Sequence, residues 1–168
     1  MSLFPLISFE RIPDRDSDAK LVAWNHWLGA CNRPFGKQAF GLFLTGDLVA
    51  VAVSASTIGD TCAGRPRGEL TELARLCAHP DHRDLTRVAL RCWRKVAADA
   101  WAAKYWPVSA YVSYSNRNRH NGDPYRLDGW KRLADTRGGS VGKNAGWAKP
   151  GTKIEPKTIW GWDLGGKA

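Results

Sequence analysis

The sequence predicts an α+β fold: a mixed, mostly antiparallel sheet packed on one long central helix. Three observations carry this. Ala89, Trp93, Val96, Ala97, Ala100 and Trp101 form an apolar stripe at helical spacing within Arg87–Tyr105. The flanking segments Glu69–Ala78 and Pro107–Val112 alternate apolar and polar residues with period two. Gln38–Ser54 holds two more alternating runs joined at Thr45-Gly46-Asp47, as in a hairpin.

Taken from the start, Leu3–Ile12 alternates as a first strand, and Pro13–Asp18 supplies turn and capping residues. Leu21, Trp24 and Leu28, three and four apart, predict a helix over Ala19–Leu28, with Gly29 as its stop. After the hairpin, Ser56–Gly68 is rich in Gly, Thr, Pro and Arg and reads as a loop. In Glu69–Ala78, strict alternation puts Leu70, Glu72, Ala74 and Leu76 on one face, and Thr71, Leu73, Arg75 and Cys77 on the other. His79–Leu85 is a turn, from which Asp84 or Thr86 caps the long helix. That helix carries Arg87, Arg91 and Lys95 four apart, a row that repels itself unless an anion lies alongside. A turn of helix holding Tyr125 follows the next strand, then a strand over Lys131–Thr136. Gly138–Pro156 has no period and reads as a mobile basic loop, and Thr158–Leu164 closes the sheet.

With 168 residues, 43% of them hydrophobic, the chain suits a single domain over residues 1–168, with residues 138–157 as its flexible basic loop. It has no apolar run of the roughly 20 residues a bilayer needs, and residues 1–9 lack a secretion signature, which places it in the cytoplasm. Cys31, Cys62, Cys77 and Cys92 have no Cys-x-x-Cys spacing and read as free thiols. A formal charge of +9 favours a polyanionic partner, either nucleic acid or a phosphorylated coenzyme.

The stretch from Ser113 to Trp130 looks like a site. Ser113, Ser115, Asn116 and His120 leave a strand end into a Gly/Pro turn that leads to Tyr125. Tyr125 is a proton donor or a ring packed under Trp130, and His120 and His26 are bases or solvated loop residues. Glu72 and Arg75, set inside an apolar alternation, either form an ion pair with each other or across strands, or open onto a cleft. Of nine tryptophans, Trp27, Trp130 and Trp147 sit where a base could stack.

Tyr125-x-x-x-Gly129-Trp130 resembles the Tyr-x-x-x-Gly-Phe close of the Gcn5-related N-acetyltransferases. The larger run is Glu72-Leu-Ala-Arg-Leu-Cys77, Ser113-Tyr-Ser-Asn116 and His120-x-Gly-x-x-Tyr125. It resembles the Mom-type phage DNA-modification proteins, a branch that converts adenine in duplex DNA to a carbamoylmethyl derivative. Asn25-His26-Trp27-Leu28-Gly29 is similar to the end of that branch's first helix. The resemblance implies strands that run parallel and splay apart on either side of the long helix. It implies a transferase using acetyl-CoA or a related acyl-CoA, with Tyr125, His26, Glu72, Arg75, Ser113 and His120 in catalysis. Cys77, Arg83, Thr86, Arg87 and Asn116 would hold the coenzyme. Arg65, Arg67, Lys143, Lys149 and Lys153 would meet double-stranded DNA.

Two departures stand out. The usual Arg/Gln-x-x-Gly-x-Gly/Ala phosphate loop is here His82-Arg-Asp-Leu-Thr-Arg87, without glycine, and Asn116 stands where the branch has an acid. The rival readings are an ordinary acyl-CoA N-acyltransferase acting on a small amine or protein, and a non-catalytic DNA-binding domain. Neither a metal nor an oligomeric state is assigned by the sequence.

Overall fold

The computed structural model describes residues 6–140, 142, 149 and 151–165. The expectations for Lys143 and Trp147 therefore lie outside the described residues. In chain order the elements are β1 (Ile7–Ile12), α1 (Asp14–Ala23), β2 (Lys37–Leu44), β3 (Asp47–Ala55), β4 (Thr61–Cys62), β5 (Arg65–Pro66) and β6 (Leu70–Ala78). Then come α2 (Thr86–Ala102), β7 (Ala110–Asn116), α3 (Asp123–Leu127), β8 (Lys131–Asp135), β9 (Gly139–Ser140), β10 (Lys153–Ile154) and β11 (Lys157–Asp163).

Seven strands form one sheet in the order β1-β2-β3-β6-β7-β11-β8. All its pairs are antiparallel except β6 with β7. The fold class is thus the expected one. Thr45 (φ 52) and Gly46 (φ 92) make the β2–β3 turn, the left-handed pair that suits a two-residue hairpin. Leu21 of α1 packs with Ala39, Val51 and Val53, while Leu90, Trp93 and Ala97 of α2 pack with Phe40, Ala52 and Leu73. Each helix thereby covers part of the sheet with apolar surface, the main favourable term in folding.

Several sequence boundaries need correction. The first helix runs over Asp14–Ala23, with Asp14 and Asp16 in its first turn, where they complement the helix dipole. It ends early because Asn25 turns left-handed (φ 54) and His26 N–H bonds back to the Leu21 carbonyl at 2.9 Å. His26 and Trp27 consequently sit in a loop. The strand expected over Pro107–Val112 is β7, which carries Ser113 and Asn116 within its hydrogen-bonded ladder. Val96 is 37% exposed, because the buried row of α2 is Ala89, Trp93, Ala97 and Trp101. The Ser56–Gly68 loop contains the small β4–β5 hairpin, and the ends of the basic loop pair as β9 and β10.

The strict alternation assigned to β6 also fails. Val53 faces Arg75 and Ser54 faces Leu73, so Ala74 is an extra residue, a bulge. Leu73 and Leu76, an odd number apart, therefore both reach core clusters that include α2 residues.

Of the basic row on α2, Arg91 finds an anion within the chain, shared with Arg94. The buried Asp128 carboxylate accepts from Arg91 Nε at 2.9 Å, Arg94 Nε at 3.1 Å and Trp130 Nε1 at 3.2 Å. A buried carboxylate is tolerable when donors surround it in this way.

Candidate active site

β6 and β7 pair only from Leu70–Leu73 to Ala110–Ser113. Past that point the Ala74 bulge keeps β6 on β3, and the two parallel strands part. A cleft of about 680 Å³ is lined there by residues of four segments: the loop after α1, the second half of β6, the start of α2, and the β7–α3 turn. A second pocket of about 370 Å³ adjoins it and shares Trp27, Leu28, Leu73, Ala74, Arg75 and Tyr114.

Tyr125 lies at the wall of the larger cleft, buried between aromatic rings. Its phenol is 2.8 Å from Ser113 Oγ, which also lies 2.9 Å from the Leu73 carbonyl. A carbonyl only accepts, so Ser113 donates to Leu73 and the phenol donates to Ser113. Burial pushes the phenol up to about 12, so it keeps its proton at neutral pH. Trp160 stacks on the Tyr125 ring at 5.8 Å and 18°, and its Nε1 donates to Ser115 Oγ at 2.8 Å. The turn before Tyr125 needs glycine: Gly122 has φ +77, and a Cβ there would lie 2.3 Å from the Trp160 ring.

His26 and His120 both line this cleft. Burial first, then the Arg75 and His120 charges, lower His26 to about 4, and its Nδ1 accepts the Leu28 N–H at 3.3 Å. His120 is lowered too, by burial and by Arg119. Both rings are therefore neutral near pH 7. Among the described residues no group of three or more His, Cys, Asp or Glu gathers as a metal site.

Glu72 lies in the second pocket and is 3% exposed. Burial raises its carboxyl above the usual range, against the opposing pull of Arg33, whose Nη2 donates to Oε1 at 2.5 Å. Of the alternatives for Glu72, the pair with Arg75 is not formed: Glu72 pairs with Arg33 and lines a pocket. Arg75 donates to three carbonyls, those of Gly29 at 3.1 Å, Ala30 at 3.2 Å and Ala74 at 2.7 Å, and so fixes the loop after α1 to β6.

Of the residues expected to hold a coenzyme, Cys77, Arg83, Thr86 and Arg87 line the larger cleft. Thr86 Oγ1 donates to the Arg83 carbonyl at 2.8 Å, and Arg87 Nη2 donates to the Leu127 carbonyl at 3.1 Å. Burial raises the Cys77 thiol to about 11. Asn116 is not part of either lining: it donates to Glu155 and accepts from Asn118 N–H at 2.9 Å.

Of the residues expected to meet DNA, the two arginines have acidic partners within the chain. Arg65 pairs with Asp163 at 2.6 Å, and Arg67 pairs with Asp60 at 2.7 Å and lies over Phe35. Lys149 and Lys153 are exposed. Trp130 is 4% exposed and belongs to the core, whereas Trp27 lines both pockets with the Arg119 guanidinium over its ring at 5.5 Å. Sequence reasoning passed over Arg33, Tyr114 and Lys157, which line the second pocket. Arg33 sits in an aperiodic loop and Lys157 follows a lysine-rich one, so no local pattern singles them out.

No protein-family profile matches the sequence, and no curated protein is significantly similar to it. Solved structures share its fold across nearly the whole chain. The Escherichia coli ribosomal-protein-S18-alanine N-acetyltransferase superposes with a TM-score of 0.63 at 13% identity, covering 97% of this chain and 99% of its own. An N-acetyltransferase from Staphylococcus aureus Mu50 gives 0.59 at 11%, covering 95% and 98%. A GNAT-family acetyltransferase from Elizabethkingia anophelis, solved with acetyl-CoA bound, gives 0.53 at 10%, covering 94% and 98%. With the parallel pair β6–β7 parting beside the long helix, this chain has the fold of the Gcn5-related N-acetyltransferases.

Proposed function

We propose that the chain transfers a small group from a coenzyme A thioester to an amine, and that this amine is the exocyclic N6 of adenine in duplex DNA. The observation that carries the reading is the junction at Leu73 and Ala74. There a long cleft beside Tyr125 adjoins a pocket holding a buried carboxylate.

The residues present fit such a donor in part. Beyond Leu73 the β7-facing edge of β6 has no strand partner among the described residues, so its backbone groups can bond an extended amide arm. Arg83 is placed for a diphosphate at the start of α2. The glycine-free turn offers no bare backbone cradle, and Thr86 and Arg87 already bond carbonyls. Arg83 therefore carries more of the anion than it would beside a glycine loop.

In the transfer the attacking nitrogen bonds the thioester carbon, loses a proton to ionised Glu72, and the carbon–sulfur bond breaks. Tyr125 turns its hydrogen from Ser113 Oγ to the departing sulfur and is reprotonated from solvent. Adenine's amine is a poor nucleophile, so close placement of donor and base is the larger part of the task.

DNA as acceptor is supported by the charge of +9, by aromatic Trp27 and Tyr114 in the second pocket, and by the Glu72–Cys77 and Ser113–Trp130 motifs. A paired base is out of reach, so the nucleotide must be extruded. The second reading, transfer to a small amine or a protein, is favoured by the ribosomal-protein-S18-alanine N-acetyltransferase that shares the fold.

The test is mass analysis of nucleosides after incubating purified protein, acetyl-CoA and duplex DNA, and of DNA from cells expressing it. A modified deoxyadenosine is expected. Unmodified DNA together with acetyl transfer to amines or peptides would select the second reading, and DNA binding without turnover in either assay would leave a binding domain.

A further inference from the structure

The second pocket carries more positive charge than its one carboxylate balances. Among the described residues Arg33, Arg75, Lys157 and Glu72 line it, three cations to one acid. Glu72 accepts from Arg33 through Oε1. Arg75 gives three of its five N–H donors to carbonyls, which fixes its position, and it makes no ion pair among the described residues. Lys157 makes no ion pair among the described residues, and its Nζ lies 5.8 Å from the centre of the Tyr114 ring. Half-buried cations without acids cost free energy, and such a preset cluster is what a bound anion repays.

We propose that the pocket is a phosphate subsite: Arg33 and Lys157 hold the phosphate of the acceptor nucleotide beside Glu72. Arg33 has donors left after its single bond to Glu72, in the planar fork that suits phosphate oxygens, and Lys157 adds a point charge from β11. An excess of two positive charges matches a doubly charged phosphomonoester or successive phosphodiesters better than one carboxylate. A volume of about 370 Å³ admits one nucleotide and excludes a duplex. The acceptor is thus recognised as a nucleotide and not as a bare base. The assignment rests on the nucleic-acid reading for its acceptor but is tested without any transfer.

Calorimetric titration of the full chain with deoxyadenosine 5′-monophosphate and with deoxyadenosine, at low salt and without a thioester, tests it. Wild type should bind the monophosphate about tenfold or more tighter than the nucleoside, as one charge-assisted contact allows. Lys157→Gln should abolish most of that preference. Arg33→Lys, which keeps a cation on Glu72, should reduce it, and Arg83→Ala should leave it intact. Equal binding of the two ligands by wild type would overturn the proposal. So would a preference that survives Lys157→Gln and disappears in Arg83→Ala, which would put the phosphate at the start of α2. If this preference follows Lys157 while DNA stays unmodified in the nucleoside analysis, the subsite stands and the transfer reading alone fails.

Discussion

The two openings that meet at Leu73 and Ala74 spend their charges differently. In the larger cleft Arg75 and Arg87 are tied to backbone carbonyls, and His26 and His120 are held neutral. Of its exposed cations, Arg119 pairs with Glu155 at 3.5 Å, and Arg83 makes no ion pair among the described residues. In the smaller pocket a buried acid sits among three cations within a short reach. The first environment suits a long, mostly uncharged arm with an anion at one end. The second suits proton removal beside a fixed charge, because low dielectric strengthens each interaction there.

Breaking the acid side should have the largest effect. Glu72→Gln is expected to lower turnover by about 10²- to 10³-fold while acetyl-CoA still protects the protein from melting. Because burial raises the Glu72 carboxyl, wild-type turnover should climb with pH as that group ionises above the usual carboxylate range, and the Gln variant should lose the climb. Rate profiles of both proteins check this. An unchanged profile would remove Glu72 from proton transfer.

On the cleft side, Tyr125→Phe should keep the fold and lower turnover by about 10²-fold. Ser113 would still donate to the Leu73 carbonyl, so melting should shift little. Comparison of kcat with donor KM checks it: loss confined to kcat fits a proton donor, whereas a rise in KM alone would make Tyr125 part of the binding wall.

The neutral histidine sharpens the contrast through stability. Folded His26 titrates at about 4, whereas the unfolded chain takes up that proton near the ordinary value of about 6.5. Between those values the unfolded state binds more protons, so stability falls as pH drops through the window. His26→Gln should remove about 2 kcal/mol of that fall, read from denaturant titrations at pH 7 and pH 4.5. Equal pH dependence in both proteins would mean that His26 is solvated.

The smallest effect separates two arginines at the helix start. Arg83→Ala should remove most of the melting-temperature rise given by acetyl-CoA, and Arg87→Ala should remove less of it, since one donor of that guanidinium is held by the Leu127 carbonyl. The reverse ranking would place the diphosphate on Arg87.

Local patterns made the hairpin, the long helix and the order of elements legible, because apolar period is set by which face is buried. The parting of β6 from β7 depends on a bulge at Ala74 that no alternation reveals, and α1 ends where Asn25 adopts a left-handed conformation. At the site, Tyr125, His120, Glu72 and Arg75 stood out as polar groups in places that needed explaining. Their partners did not. Arg33 meets Glu72 across 39 positions and Arg91 meets Asp128 across 37, contacts that only the folded chain creates. Asn116 shows the converse: a residue prominent in a motif whose polar groups are taken up by Glu155 and Asn118.

The central claim is that one reaction line runs through both openings, and a molecule that spans them tests it most directly. A probe joining the coenzyme A sulfur to N6 of deoxyadenosine monophosphate through a two-carbon tether would occupy cleft and pocket together. Tethering turns the second contact into an intramolecular one, so the probe should bind about 10²-fold tighter than coenzyme A or the nucleotide alone. Arg83→Ala and Lys157→Gln should each weaken it. A probe that binds no tighter than coenzyme A, with an affinity indifferent to Lys157→Gln, would contradict the account.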